Sequence, residues 1–306
     1  MVDVKAPRVA MMDGKLVPYA DALVHVDTPA FRYGAMAFEG LRAYWNAQRE
    51  QLYVYRLPEH LERLAQSAKV MRFRSTPTAG QLAGGVLELL RANDLREDVQ
   101  VRLMAWVDGS GGSHADGPIR YGAVAKALGR AYDVASGVQA CVSSWLRSPD
   151  NAIPPRVKAA ANYQNARLAT MQARIDGYDV ALLLDSHGHL TETPTSCVLL
   201  VRGGAVVAPP VYADILESVT RDTVLRLARD AGLGTEERPV DRTELYVAEE
   251  MFLCGSTAEI VPIVGVDQYP VQDGRPGPIT RRLQDLYFHE VRAEGAEAAW
   301  VTPVYR

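Results

Sequence analysis

Lys158 stands in RVKAAANY, residues 156–163, beside a valine and a run of alanines and just behind the prolines of IPP. A surface lysine usually has polar neighbours. Small apolar ones let something bulky approach the chain, either another helix or a cofactor. An apolar setting also favours the neutral amine that a nucleophile or base requires. Glu192, in HLTETPTSC, lies between two apolar strands. It reads either as an exposed hairpin carboxylate or as a group that keeps a ring nitrogen protonated, since a cationic pyridine ring is an electron sink. On the second reading Lys158 supplies the amine for a Schiff base, and Tyr163 donates to the phenolate oxygen of the same ring.

A phosphate on such a ring needs backbone N–H groups at a helix start with hydroxyls nearby. LESVTRD, residues 216–222, offers Ser218 and Thr220 where a helix begins, and CGSTAE, residues 254–259, offers Ser256 and Thr257 after the freely turning Gly255. Arg56, between the run QLYVY and a helix, could fork onto phosphate oxygens. Each has an ordinary alternative, a helix cap for the hydroxyls and a surface ion pair for the arginine. DGSGG has the look of a hydrolase nucleophile turn, but no His–Asp pair near it supports that chemistry. HGH, residues 187–189, is a turn without a second pair of metal ligands.

These residues need a scaffold. LVHVD, QLYVY and QVRLMAWV read as strands of the first half. PEHLERLAQSAKVM reads as a helix with Pro58 in its first turn and Leu61, Leu64, Ala68 and Met71 on one face. GQLAGGVLELLRAND is a second helix, and DGSGGSHADGP a loop. The second half opens with VQACVSSW as a strand and a helix over 162–176 that Gly177 stops. VALLLD, CVLLV and AVVAP then read as buried strands, 218–231 as an amphipathic helix, and EMFLCGSTAEI as a strand running into a turn. The pattern is α+β, without the strict alternation of a doubly wound sheet.

A chain of 306 residues is long for one core, which favours two domains: 1–129, a linker over 130–138, and 139–306. A net charge of −4 with 23% charged residues gives no reason to expect a nucleic-acid or anionic-membrane partner. No apolar run is long enough for a membrane span, and MVDVKAPRVAMMDGKL lacks the basic-then-apolar pattern of a signal peptide. Cys141, Cys197 and Cys254 are far apart, as reduced thiols of a cytoplasmic protein would be.

YGAMAFEGLR at 33–42, SSWLRSPDNAIPPRVKAAANY, LESVTRD and CGSTAEIVPI together resemble the class IV, fold-type IV aminotransferases that use pyridoxal 5'-phosphate, most closely the branched-chain amino-acid aminotransferases. The resemblance runs from DGKLVPYADALVHV to GPITRRLQDLYF. It implies two α/β domains, the smaller N-terminal, joined by a short linker with the cofactor between them. Activity would be a ping-pong transfer from an apolar L-amino acid to 2-oxoglutarate, by a homodimer at least, a neighbouring subunit's loop completing the site.

The resemblance further implies that Lys158 carries the cofactor and shuttles the proton, that Glu192 pairs with the ring nitrogen, and that Tyr163 meets the ring oxygen. Arg56, Val219, Thr220 and Ser256 would hold the phosphate. Tyr33, Phe38 and Tyr132 would line the side-chain pocket, the Thr257–Ala258 turn would hold the substrate carboxylate, and Arg102 the distal carboxylate of glutamate. Gln100 stands where the family commonly has tyrosine, and TETPTSC, LESV and the 108–118 loop also depart from its pattern. A D-amino-acid or amine transaminase and an aminodeoxychorismate lyase share the lysine and glutamate; FEG and Arg102 argue against the first.

Overall fold

Alternating burial along VQVRLMAWV, with Val99, Val101 and Leu103 inside and Arg102 exposed, builds the central strand of a sheet in the first half. The computed structural model describes residues 6–295 and 299–305; residues 1–5, the head of the stretch read for a signal peptide, lie outside the described residues. Contacts divide the chain into two units. The first joins Met1–Gly129 with Val157–Ala161 and His289–Arg306; the second is Arg130–Arg156 with Asn162–Phe288. The short segment carrying Lys158 therefore belongs with the first unit, although its sequence neighbours on both sides belong to the second.

In the first unit, strands β1 (Val9–Met12), β2 (Lys15–Pro18), β3 (Met36–Asn46), β4 (Gln51–Tyr55), β5 (Val99–Val107), β6 (Ile119–Ala127) and β15 (Val301–Pro303) form one sheet in the order β15-β4-β3-β5-β6-β1-β2. Every pairing is antiparallel. Helix α1 (Pro29–Tyr33) precedes β3, and α2 (Leu57–Val70) and α3 (Ala79–Asn93) pack on the sheet. Leu57, Leu61 and Leu64 of α2 and Leu82, Val86, Leu89 and Leu90 of α3 join Leu41, Leu52, Val54, Val101 and Leu103 in one core. Thr78 and Gln81 close a reciprocal capping box that fixes where α3 starts.

The expected strand LVHVD does not form. Residues 23–27 are irregular, and Leu23, Val24 and Val26 are exposed. Leu23 N–H bonds back to the Asp21 carbonyl, Asp27 N–H to His25 Nδ1, and Thr28 caps α1 by accepting from Phe31 N–H. Local turn bonds take the donors a ladder would need. The 108–118 loop is held within its own unit: Arg74 N–H reaches the Asp116 carbonyl, and its guanidinium the Asp116 carboxylate at 2.8 Å.

The second unit is built on β7 (Val138–Val142), β8 (Val180–Leu182), β9 (Cys197–Arg202), β10 (Ala205–Ala208), β11 (Thr235–Glu237), β12 (Glu250–Gly255) and β13 (Glu259–Val266), in the order β11-β10-β9-β12-β13-β7-β8. The short β14 (Tyr269–Pro270) adds to β13. This sheet is mixed, with parallel pairs at β10/β11, β13/β7 and β7/β8. Helix α4 (Tyr163–Ile175) lays Ala169 and Ala173 onto Cys141, Ala181 and Leu183, so its alanines serve close packing. Helix α5 (Val219–Asp230) packs on β12, and α6 is Pro278–Val291. The two α/β units of α+β character match the expectation from the sequence. No helix among the described residues is long and apolar enough to cross a membrane.

Candidate active site

Lys158 is held by its main chain. Its N–H donates to Ser67 Oγ of α2 at 3.1 Å, and its carbonyl accepts from Phe38 N–H of β3 at 3.0 Å. Ala159 forms an isolated antiparallel bridge with Ala37, so residues 157–159 lie along β3 like a short extra strand. Val157 and Ala159 are buried while Lys158 is half-buried. The Lys158 ammonium lies 5.1 Å from the centre of the Phe38 ring, a cation against an aromatic face.

Phe38, Gly40 and Arg42 share one face of β3, and the register sets Met104, Arg102 and Gln100 of β5 opposite them. Arg102 approaches the Phe38 ring to 5.7 Å. A Cβ built at Gly40 meets no atom within 4 Å, so open space lies on the Lys158 side of the sheet in front of the arginine. Gly40 and Met104 were not singled out in the sequence, although Gly40 is the glycine of FEG. Tyr33 is exposed at the end of α1 with its hydroxyl accepting from Arg32 at 2.6 Å.

Arg56 caps α2 from a left-handed conformation, φ 49°. That conformation is uncommon for a side chain this large and costs about 1–3 kcal/mol. Trp300 compensates in part: its carbonyl accepts from Arg56 N–H at 2.7 Å and its ring lies 5.1 Å from the guanidinium. Glu59 takes Nε at 2.7 Å. The result is a buried cation fixed at a helix start.

In the second unit Glu192 is buried on the irregular chain between β8 and β9. Arg147 Nη2 lies 2.8 Å from Oε1, and Leu216 N–H donates to Oε2 at 3.2 Å. Arg147 is itself buried, and its Nε has no hydrogen-bond partner among the described residues. Sequence reasoning passed over this arginine, although it lies in the quoted SSWLR; no periodicity marks an inward arginine on an irregular segment. Glu192 also bridges to Cys197, which pairs with Cys254 across β9 and β12. A Cβ on Gly255 would come within 3.1 Å of Ser196 Oγ. Glycine thus lets the Ser256–Ala258 turn lie against the loop that carries Glu192.

Ser218 is the N-cap of α5 and accepts from Arg221 N–H at 3.2 Å. Val219 and Thr220 follow in the first turn, both buried, where N–H groups have no carbonyl within the helix to reach. The Ser256–Ala258 turn joins β12 to β13, and Glu259 reverses the chain at φ 64° while pairing with Arg130 at 3.3 Å. Tyr163 opens α4, fixed by Asn162 Nδ2 on the Pro154 carbonyl at 2.9 Å. Tyr132 packs on the main core of this unit, and burial raises its phenol above the ordinary value.

The HGH segment is a turn: His187 and His189 N–H groups both donate to Asp185 Oδ1. No cluster among the described residues could hold a metal ion.

The pattern of the family described as amino-transferase class IV matches residues 36–266. A probable branched-chain-amino-acid aminotransferase from Aquifex aeolicus is 38% identical, covering 97% of this chain and 96% of its own. The solved branched-chain amino acid aminotransferase of Thermobaculum terrenum in its PLP form superposes with a TM-score of 0.93 at 38% identity, covering 98% of this chain and 99% of its own. The branched-chain aminotransferase of Thermoproteus uzoniensis, solved with norvaline, gives 0.93 at 37%, covering 98% and 100%.

Proposed function

The chain belongs to the class IV aminotransferases, and from that premise we propose that it moves the amino group of a branched-chain or other apolar L-amino acid to 2-oxoglutarate with pyridoxal 5'-phosphate as cofactor. The observation that carries the reading is Lys158: a half-buried lysine whose main chain is locked on both sides and whose ammonium rests against an aromatic ring. The residues suit the cofactor. The first turn of α5 with Thr220, and the hydroxyls of Ser256 and Thr257, are the donors a phosphate takes. Arg56 adds a cation. A buried carboxylate such as Glu192 accepts a ring N–H.

When bound, the cofactor supplies the carbonyl that accepts an amino group and the ring that draws electrons. Lys158 Nζ would hold the cofactor and, once displaced by the substrate's amino group, would carry the proton between the substrate Cα and the cofactor carbon that bears the nitrogen. Glu192 keeps the ring nitrogen protonated, and Tyr163 donates to the ring oxygen. Val219, Thr220, Ser256 and Arg56 orient the phosphate. The Thr257–Ala258 turn binds the substrate carboxylate. Phe38, Tyr33 and Tyr132 receive an apolar side chain, and Arg102 meets the second carboxylate of glutamate. The reaction is ping-pong because one set of residues serves both partners in turn.

The protein works as a cytoplasmic homodimer on this reading. Free buried cysteines support the compartment, and the exposed Leu23, Val24, Val26 and Phe31 support an apolar surface for a second subunit. The test is a half-reaction screen over L- and D-amino acids, followed by the visible band of the loaded enzyme. Bleaching by leucine, isoleucine or valine and recovery with 2-oxoglutarate is expected. Bleaching by D-amino acids alone would replace the reading with the D-specific one.

A further inference from the structure

Behind Lys158 lies a buried charged trio that the proposed chemistry does not use. Glu39, the acid of FEG, is fully enclosed in β3. Its Oε1 accepts from Arg63 Nε at 2.7 Å, and its Oε2 from Arg63 Nη2 at 2.8 Å and from His60 Nδ1 at 2.7 Å. His60, Arg63 and Ser67 follow one face of α2 at i, i+3 and i+7, all buried. Ser67 is the residue that holds Lys158 N–H, and the residue next to Glu39, Phe38, holds the Lys158 carbonyl. One helix face and one strand thus carry both the trio and the lysine's main-chain anchors.

The charges are arranged to cancel. Burial alone would raise the Glu39 carboxyl, but the Arg63 guanidinium and then His60 hold it far below the usual carboxylate range. An ionised carboxylate only accepts, so His60 Nδ1 carries the proton shared with Oε2. Burial pushes the imidazole below its ordinary value against the pull of Glu39, with Arg63 and Lys158 adding to the depression. The charged groups facing His60 are Glu39 from β3, Arg63 from its own helix and Lys158 from the 157–161 segment. A neutral His60 therefore depends on Arg63 being the cation that satisfies Glu39.

We infer that Glu39, His60 and Arg63 form a charge-balanced brace that positions Lys158 through the helix face and the strand that anchor its main chain. His60 and Arg63 are positioning residues. The brace acts without touching substrate, and it rests on the reading of Lys158 as the cofactor lysine.

The experiment titrates the visible band of the cofactor-loaded enzyme against pH in wild type, Arg63→Gln, Arg63→Lys and Arg63→Gln/His60→Asn, with thermal melting alongside. In Arg63→Gln the Glu39 carboxylate loses its guanidinium, the contact between β3 and α2 that carries both anchors of Lys158 loosens, and the band midpoint should move by about one pH unit. Arg63→Lys keeps a cation at the carboxylate and should restore the midpoint. His60→Asn leaves Glu39 with no cation beside it, so the double variant should stay displaced. If Arg63→Gln does not accumulate as folded protein, His60→Lys disturbs the same contact with Glu39 and Arg63 intact, and a displaced midpoint is again expected. A lower melting temperature with an unmoved midpoint makes the trio purely structural and overturns the brace. A wild-type enzyme with no visible band that bleaches with an amino donor overturns the Lys158 reading and the brace with it.

Discussion

Glu39 and Glu192 are both buried carboxylates met by an arginine, yet they are held in opposite ways. Glu39 sits in the middle of a strand and is met by two side chains of one helix, at 2.7–2.8 Å. Glu192 sits on irregular chain, with Arg147 on one oxygen and a loop N–H from Leu216 on the other. Ser196 of the same irregular chain lies against Gly255, which leads into the Ser256–Ala258 turn. Regular elements enclose a charge and fix it; loops present a charge to whatever the neighbouring donors bind. The same residue type is thereby a brace in one unit and, on the proposed reading, a ring partner in the other.

The largest effect lies with the residue that neither carboxylate can replace. On the proposed reading Lys158→Ala removes the amine that holds the cofactor and moves the proton, and kcat should fall by about 10⁴-fold. Steady-state transamination measures it, and a wild-type rate would remove Lys158 from the chemistry.

Glu192→Gln should slow the donor half-reaction by about 10³-fold, roughly 4 kcal/mol, and also lower the melting temperature, since it leaves the buried Arg147 without its carboxylate. Glu39→Gln should put its greater cost into folding, since it leaves Arg63 buried without its carboxylate, a loss of about 3–5 kcal/mol. Single-turnover rates and urea melts on both variants decide the contrast. If both lose stability alike and Glu192→Gln reacts at the wild-type rate, the two carboxylates do the same structural job.

The contrast also shows what a linear reading reaches. Ser218 as a helix cap and the helices at 57–70, 163–175 and 219–230 are legible because caps and periodicity are local. LVHVD misled because alternation says nothing about whether a sheet edge is there to pair with. β3, the strand that holds Lys158, was seen only as a motif, because FEGLRAYW mixes buried charge with apolar residues and hides its period. His60 and Arg63 were invisible as a site: on a helix, charged residues beside a leucine stripe read as solvated flanks. Only the partner strand, with Glu39 at its centre, turns that flank inward.

A smaller effect is expected at Arg102, which shares the open space over Gly40 with Phe38. Its charge meets a second carboxylate only when glutamate or 2-oxoglutarate is bound. Arg102→Met should raise KM for 2-oxoglutarate by roughly 10- to 150-fold, the worth of a charge-assisted pair, and leave the leucine half-reaction nearly intact. Equal losses for both substrates would mean that the arginine shapes the sheet surface instead of reading a carboxylate. Gln100, two residues away on the same face, is the companion test: Gln100→Tyr should narrow the donor range toward valine, leucine and isoleucine.

The smallest effect separates the enclosed carboxylate from the presented one by pH. A group whose pKa is depressed by folding contributes stability that is present above its unfolded value and lost as pH falls. His60 is depressed by burial, and Glu39 is held low against burial by Arg63 and His60. Loss therefore comes in two stages on acidification. Below about pH 6.5 the unfolded chain binds a proton at His60 that the folded chain refuses, and below about pH 4 it binds another at Glu39. In urea melts of the loaded enzyme between pH 8 and pH 5, wild type should lose stability relative to His60→Asn as pH falls. The extra slope should be no steeper than about 1.4 kcal/mol per pH unit, the limit for one proton. Parallel curves for the two proteins would show that His60 charges as readily in the folded state as in the unfolded one, and Glu39 would then be as open to protons as a carboxylate hung among loops.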